Sequence, residues 1–158
     1  MAVSNKPGTL EFYINNCHTG YNSISYKNAF DYLKTSKDVK SIEVESTTLD
    51  EFVRKNQLSP SFIKLDCQGA EYEILKGATR FLSDNECVFI YLEFWPMAIR
   101  NVWNVSGEQF LNFLEEQDLQ IIFTEDFNGL IGNKSKFVSE VENTERGYTN
   151  LMLRKSAN

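Results

Sequence analysis

Phe62-Ile63-Lys64-Leu65-Asp66-Cys67-Gln68-Gly69-Ala70-Glu71 decides the fold. A short apolar run stops at an acid, a glycine follows three residues on, and a second acid stands where a helix would begin. The pattern predicts a strand, a tight turn and a helix. Beyond the turn, Ala70, Ile74, Leu75, Ala78, Phe81 and Leu82 recur at helical spacing. Lys76 and Arg80 fall near the end of that helix, as its dipole favours. Val88-Phe89-Ile90-Tyr91-Leu92 is then a continuous apolar run, suited to a strand covered on both faces of a parallel sheet. Strand, helix, strand over this length is a βαβ unit. Glu93 follows the second strand as Asp66 follows the first. Ligands of open α/β sheets bind outside the carboxyl ends of the strands, so both acids are expected to face one pocket.

Upstream, Ala2-Val3-Ser4, the turn Asn5-Lys6-Pro7-Gly8 and the run Thr9–Ile14 suggest an initial hairpin. Tyr26 to Leu33 could form a turn or two of helix. Val39 to Ser46 alternates as a strand does. Thr48-Leu49-Asp50-Glu51 fits a capping box and predicts a short helix over 49–57. Downstream, Phe94-Trp95-Pro96 breaks the second strand, and an aromatic-rich loop is expected as far as Trp103. Ser106-Gly107-Glu108-Gln109 is another capping box, opening a helix to about Gln117. Leu119–Thr124 and Tyr148–Arg154 read as strands. The polar stretch 125–146 between them shows no clear order, so the two are expected to form an antiparallel pair at the sheet edge.

The chain has 158 residues, enough for one domain with one core, and nothing in it reads as a linker. A net charge of −6 and the lack of any Lys/Arg run argue against nucleic acid as a partner. No apolar run approaches ~18 residues, and the polar start does not resemble a signal peptide. A cytoplasmic protein without a membrane segment is the expectation. Cys17, Cys67 and Cys87 make an odd count without CxxC spacing, which suits free thiols.

Asp66, Glu71 and Glu93 are the candidate functional residues. Glu71 opens the helix, where the dipole stabilises its charge, and Gly69 leaves the turn without a side chain, so that a ligand could approach the backbone. Three acids there are compatible with proton abstraction, a divalent metal, or hydrogen bonds to a cationic or hydroxylated ligand. An acid ending a strand is also commonly just solvated, and one at a helix start is commonly a cap. Cys67 reads as a small buried residue, having no histidine to activate it. His18, the sole histidine, reads as a surface residue in a polar turn. Trp95 and Trp103 suit either an aromatic wall or core packing.

Thr48-Leu49-Asp50-Glu51-Phe52, then Phe62 to Glu71, then Ile74-Leu75-Lys76-Gly77-Ala78, then Ile90-Tyr91-Leu92-Glu93-Phe94 closely resemble, in this order, the FkbM-type methyltransferases. That family's pattern reads TLDxF, IKIDVQGAExxVLKGA and a strand ending in glutamate. The resemblance covers roughly residues 1–125, including Val3-Ser4, Gly8-Thr9 and Phe12-Tyr13, and Gly147 to Leu153 is similar to the family's last strand. Cys67 departs from the usual valine. The resemblance implies a single α/β domain over 1–158. Its sheet would be Rossmann-like and mostly parallel, with the antiparallel C-terminal strand pair. It further implies S-adenosylmethionine as cofactor and methyl transfer to a hydroxyl of a small molecule or glycan. Asp66, Cys67 and Gln68 would lie by the cofactor, and Asp66, Glu71 and Glu93 would be the catalytic acids, without a metal.

The family's cofactor site also has a glycine-rich DxGANxG turn and a ribose-holding acid. Here Gly8, Gly20, Gly69, Gly77, Gly107, Gly129, Gly132 and Gly147 form no GxG. The expectation is a domain lacking the first two strands of the fold, whose isolated chain binds the cofactor weakly or not at all and could be inactive on its own. Two alternatives accompany it. A non-catalytic domain of the same ancestry would pair with another chain, such as a second copy, through an exposed sheet edge. A magnesium-dependent hydrolase would use Asp66, Glu71 and Glu93.

Overall fold

The computed structural model describes residues 1–17, 19–25, 38–127 and 131–155. Its elements run β1 (Ala2–Val3), β2 (Gly8–Asn15), a 3-10 turn (Thr19–Tyr21), β3 (Val39–Thr47), α1 (Leu49–Asn56), β4 (Phe62–Leu65), α2 (Glu71–Lys76) and α3 (Thr79–Asp84). There follow β5 (Phe89–Phe94), α4 (Pro96–Trp103), α5 (Gly107–Glu116), β6 (Leu119–Thr124), α6 (Lys134–Glu142) and β7 (Thr149–Lys155). His18 and the stretch Tyr26–Leu33 lie outside the described residues.

The architecture is mixed α/β, but it holds two sheets where one mostly parallel sheet was expected. A small sheet has the order β1-β3-β2, and a larger one the order β4-β5-β7-β6. β4 and β5 are parallel, while β7 is antiparallel to both β5 and β6. β4, β5 and β6 therefore share a direction, and the expected antiparallel pair of late strands does end the sheet, with β6 at the border and β7 inside it against β5. The expected loop between these two strands contains a helix, α6, which the sequence did not reveal. Asn133 caps it, accepting the Lys136 amide at 2.9 Å, and it buries Phe137, Val138 and Val141. The chain thus returns over the sheet before β7 enters it.

β1 and β2 do not form a hairpin with each other. Both pair with β3, so that Ser46 stands between Ala2 on one side and Gly8 on the other. The helix expected from Ala70 through Leu82 is two helices, broken at Gly77-Ala78. A β-carbon on Gly77 would lie 2.3 Å from the Ser4 carbonyl oxygen, so this turn fits only because glycine lets the β1–β2 connection pack against it. Asp50 then caps the second helix, accepting the Arg80 and Phe81 amides at 3.1 and 2.7 Å. The expected loop 95–103 is the helix α4 instead, with Pro96 at its first position, where a fixed φ and a missing N–H cost nothing.

The core lies around the larger sheet. Phe94 is fully buried, with stacked ring partners Phe110 at 6.0 Å and Phe137 at 5.9 Å. Leu151 and Leu153 of β7 are buried as well, as a strand with neighbours on both sides requires. β4 is one border of this sheet, and its first residue, Phe62, is exposed.

Candidate functional site

The parallel register pairs Leu65 with Leu92, which brings the next residues, Asp66 and Glu93, to neighbouring strand ends. Between β4 and α2 the backbone turns through two left-handed residues, Gln68 at φ 54° and Gly69 at φ 94°. Glycine accepts that conformation freely, whereas glutamine pays for it. Three consecutive residues are nevertheless held. The Cys67 amide donates to Glu71 Oε1 at 2.6 Å. The Gln68 carbonyl accepts from Ser23 Oγ at 3.3 Å, and the Gly69 carbonyl from Trp103 Nε1 at 2.7 Å. Ser23 is itself bridged to Tyr13 of β2 by reciprocal backbone bonds. The small sheet thus holds one side of the turn and α4 the other.

This arrangement corrects the expectation of an open turn. Gly69 is buried, and the Trp103 indole lies over it. Trp95 is buried too, near Tyr148. The accessible group is instead Asp66, whose carboxylate pairs with Lys64 Nζ at 3.0 Å, and Gln68 beside it is half-buried. Gln68 Nε2 donates to Glu93 Oε2 at 3.2 Å and to Asp66 Oδ1 at 3.4 Å, joining the two strand ends.

The other two carboxyls are out of water. Glu71 is completely buried, and its Oε2 has no hydrogen-bond partner. Burial pushes its pKa up to about 7, against the backbone amides that favour its charge. Glu93 is 7% exposed. Burial, then the negative charges of Glu71 and Asp66, push it up to about 8, against Gln68 and Lys64. Burial also lifts the Cys67 thiol to about 12, so that it stays protonated and is no nucleophile. At neutral pH the site therefore offers an accessible carboxylate beside a largely protonated glutamic acid.

A hollow of about 440 Å³ adjoins the turn, with Asp66 and Cys67 in its wall. Val3, Phe12 and Ile24 face it from the N-terminal part, and Ile63, Leu65 and Ile74 from the larger unit. Among the described residues no group of three or more His, Cys, Asp or Glu is placed to hold a metal ion, so the magnesium-dependent hydrolase finds no support. No described helix is long and apolar enough to cross a membrane. Cys17, Cys67 and Cys87 are free. The sequence reading missed Ser23, Lys64 and the bridging role of Gln68. A lysine two residues before Asp66 on one strand face was a usable signal, whereas nothing marked Ser23.

A family model described as the methyltransferase FkbM domain matches residues 1–121. The match takes in the turn and all three acids and stops short of β7. No curated protein and no solved structure matches the chain.

Proposed function

The chain belongs to the FkbM methyltransferase family, and on that premise we propose that it transfers a methyl group from S-adenosylmethionine to a hydroxyl oxygen of a small molecule or sugar. The observation that carries the proposal is the Asp66–Gln68–Glu93 bridge at the carboxyl ends of two adjacent parallel strands, where α/β sheets hold their ligands. The order β4-β5-β7-β6, with three strands in one direction, supports a Rossmann-like reading of the larger sheet.

The residues fit one end of the cofactor. The accessible carboxylate on Asp66 suits a cationic amino-acid moiety, with Cys67 and Gln68 beside it. The chain's glycines form no GxG for close approach of an adenosine, so no residue here is assigned to that end. The cofactor supplies a methyl group on a sulfonium, ready for attack by an oxygen.

The chain's own residues manage the acceptor. Asp66 would take the proton of the acceptor hydroxyl as that oxygen attacks the methyl group. Glu93, protonated at neutral pH, donates a hydrogen bond to the acceptor and keeps a second negative charge out of the pocket. Glu71 holds the turn through the Cys67 amide.

Transfer of labelled methyl groups to a panel of sugars and simple alcohols tests the proposal. Asp66→Asn is expected to lower turnover roughly a hundredfold or more, the usual worth of a positioned base. Unchanged turnover would remove Asp66 from that role. If the wild-type protein neither binds S-adenosylmethionine in calorimetry nor transfers its methyl, the function itself falls.

A further inference from the structure

We propose that Gln68 is the positioning residue of this site, a clamp that fixes the spacing between the Asp66 and Glu93 carboxyls. Its side-chain amide spans the two strand ends, with Nε2 at 3.4 Å from Asp66 Oδ1 and 3.2 Å from Glu93 Oε2. The backbone beneath it is unusual for glutamine, at φ 54°. A non-glycine residue there costs energy and persists when its surroundings demand it. What they demand is visible: the bonds on the Cys67 amide and on the Gln68 and Gly69 carbonyls lock the turn. A locked left-handed residue fixes the direction in which its side chain leaves the backbone, and from there this amide reaches both acids. Asn and Gly suit such a backbone better, yet neither reaches both strand ends.

The clamp matters most once Glu93 ionises, at about pH 8, when like charges would otherwise drive the carboxyls apart. Around Glu93, Asp66 and Glu71 oppose its ionised form, Lys64 favours it, and Cys67 stays neutral. Opposite it in the register on β7 stands the uncharged Asn150. The Gln68 amide is a neutral donor to both acids and pulls them to one side chain. The inference rests on the proposed methyl transfer in assigning the two acids to chemistry, but the clamp itself has a readout of its own.

That readout is the titration of the Glu93 side-chain carbon by NMR in wild-type protein and in Gln68→Gly and Gln68→Asn. Gln68→Gly keeps the left-handed turn, so its melting temperature is expected within roughly 3 °C of wild type. Without the amide, the ionised form of Glu93 loses a donor and its midpoint is expected to rise by roughly one pH unit. Gln68→Asn, one methylene shorter, reaches one acid and is expected to fall between. In methyl-transfer assays Gln68→Gly is expected to lower kcat about ten- to a hundredfold with KM little changed, as misplacement of reacting groups does. A Glu93 midpoint that does not move overturns the clamp. A moved midpoint with unchanged kcat overturns its positioning role. A wild-type protein without methyl transfer overturns the reaction instead, and the titration still decides the clamp.

Discussion

The two sheets of this chain are built on different terms. Among the described residues, every member of the buried apolar cluster comes from Leu65 onward, on or beside the larger sheet and the helices against it. The small sheet adds no fully buried apolar residue among those described. β3 exposes Lys40, Ser41, Ile42, Glu43 and Glu45, and the small sheet meets the rest at a few points: Ser4 against Gly77, Ser23 on the Gln68 carbonyl, and Val3 and Phe12 on the hollow. The difference teaches where catalytic precision comes from. Asp66 and Glu93 stand on strands fixed by a core, whereas the small sheet acts as a brace applied to the turn from outside. Residues on rigid elements hold their geometry, and contacts of low density open first.

The contrast breaks if the two sheets respond alike to truncation. Phe94→Ala removes a ring from a fully buried stack and is expected to cost about 3–5 kcal/mol in urea unfolding. Ile42 is 44% exposed, and Ile42→Ala is expected to fall within about 0.5 kcal/mol of wild type. Comparable losses at the two positions would show a core shared by both sheets.

A second, smaller effect sharpens it through pH. The buried acids belong to the larger unit, and their folded-state pKa values lie above the unfolded ones. An acid of this kind binds more protons folded than unfolded between the two values, so stability is fully present below about 4.5 and is lost as pH rises. For Glu71 the loss is complete above about 7, and for Glu93 above about 8. Stability is therefore expected to fall between about pH 5 and about pH 8. Glu71→Gln keeps an oxygen for the Cys67 amide and carries no charge, so it is expected to recover about 3 kcal/mol at the alkaline end and little at the acid end. A variant whose pH slope equals that of wild type would mean that Glu71 is not the buried acid responsible.

What the sequence disclosed followed from how local each cause is. The strand ending at Asp66 and the next at Glu93 were legible, because apolar runs and their acidic stops lie within a few residues. Both capped helix starts were legible for the same reason, with Thr48 Oγ1 accepting the Glu51 amide at 3.0 Å and Ser106 Oγ the Gln109 amide at 3.1 Å, although only the second closes as a reciprocal capping box, Glu51 turning instead to Thr47 Oγ1. The break at Gly77 was not, since it is set by Ser4 and Asp50, far away in the chain. α6 escaped because Phe137, Val138 and Val141 are few apolar residues in a polar stretch. At the site, the acids were readable as strand ends, but the covering of Gly69 was not, because its agent, Trp103, lies 34 residues further on. The bridge by Gln68 depends on a left-handed backbone that no local signal required of a glutamine.

The smallest expected effect asks which side holds the turn. Trp103→Phe keeps an aromatic ring over Gly69 and deletes the indole N–H, leaving a buried carbonyl without its 2.7 Å donor. The expected cost is about 1–2 kcal/mol, that of an unsatisfied buried acceptor. Global unfolding registers it weakly, but hydrogen exchange of the Cys67 amide is local to the turn, since that amide is held by Glu71 Oε1. If α4 holds the turn, Cys67 exchange accelerates by about tenfold, because 1.4 kcal/mol of local stability corresponds to that factor. If exchange is unchanged, the Ser23 bond suffices and the turn takes its order from the small sheet. The sheet with almost no core would then be the one that fixes the chemistry, and the division between scaffold and brace would have to be reversed.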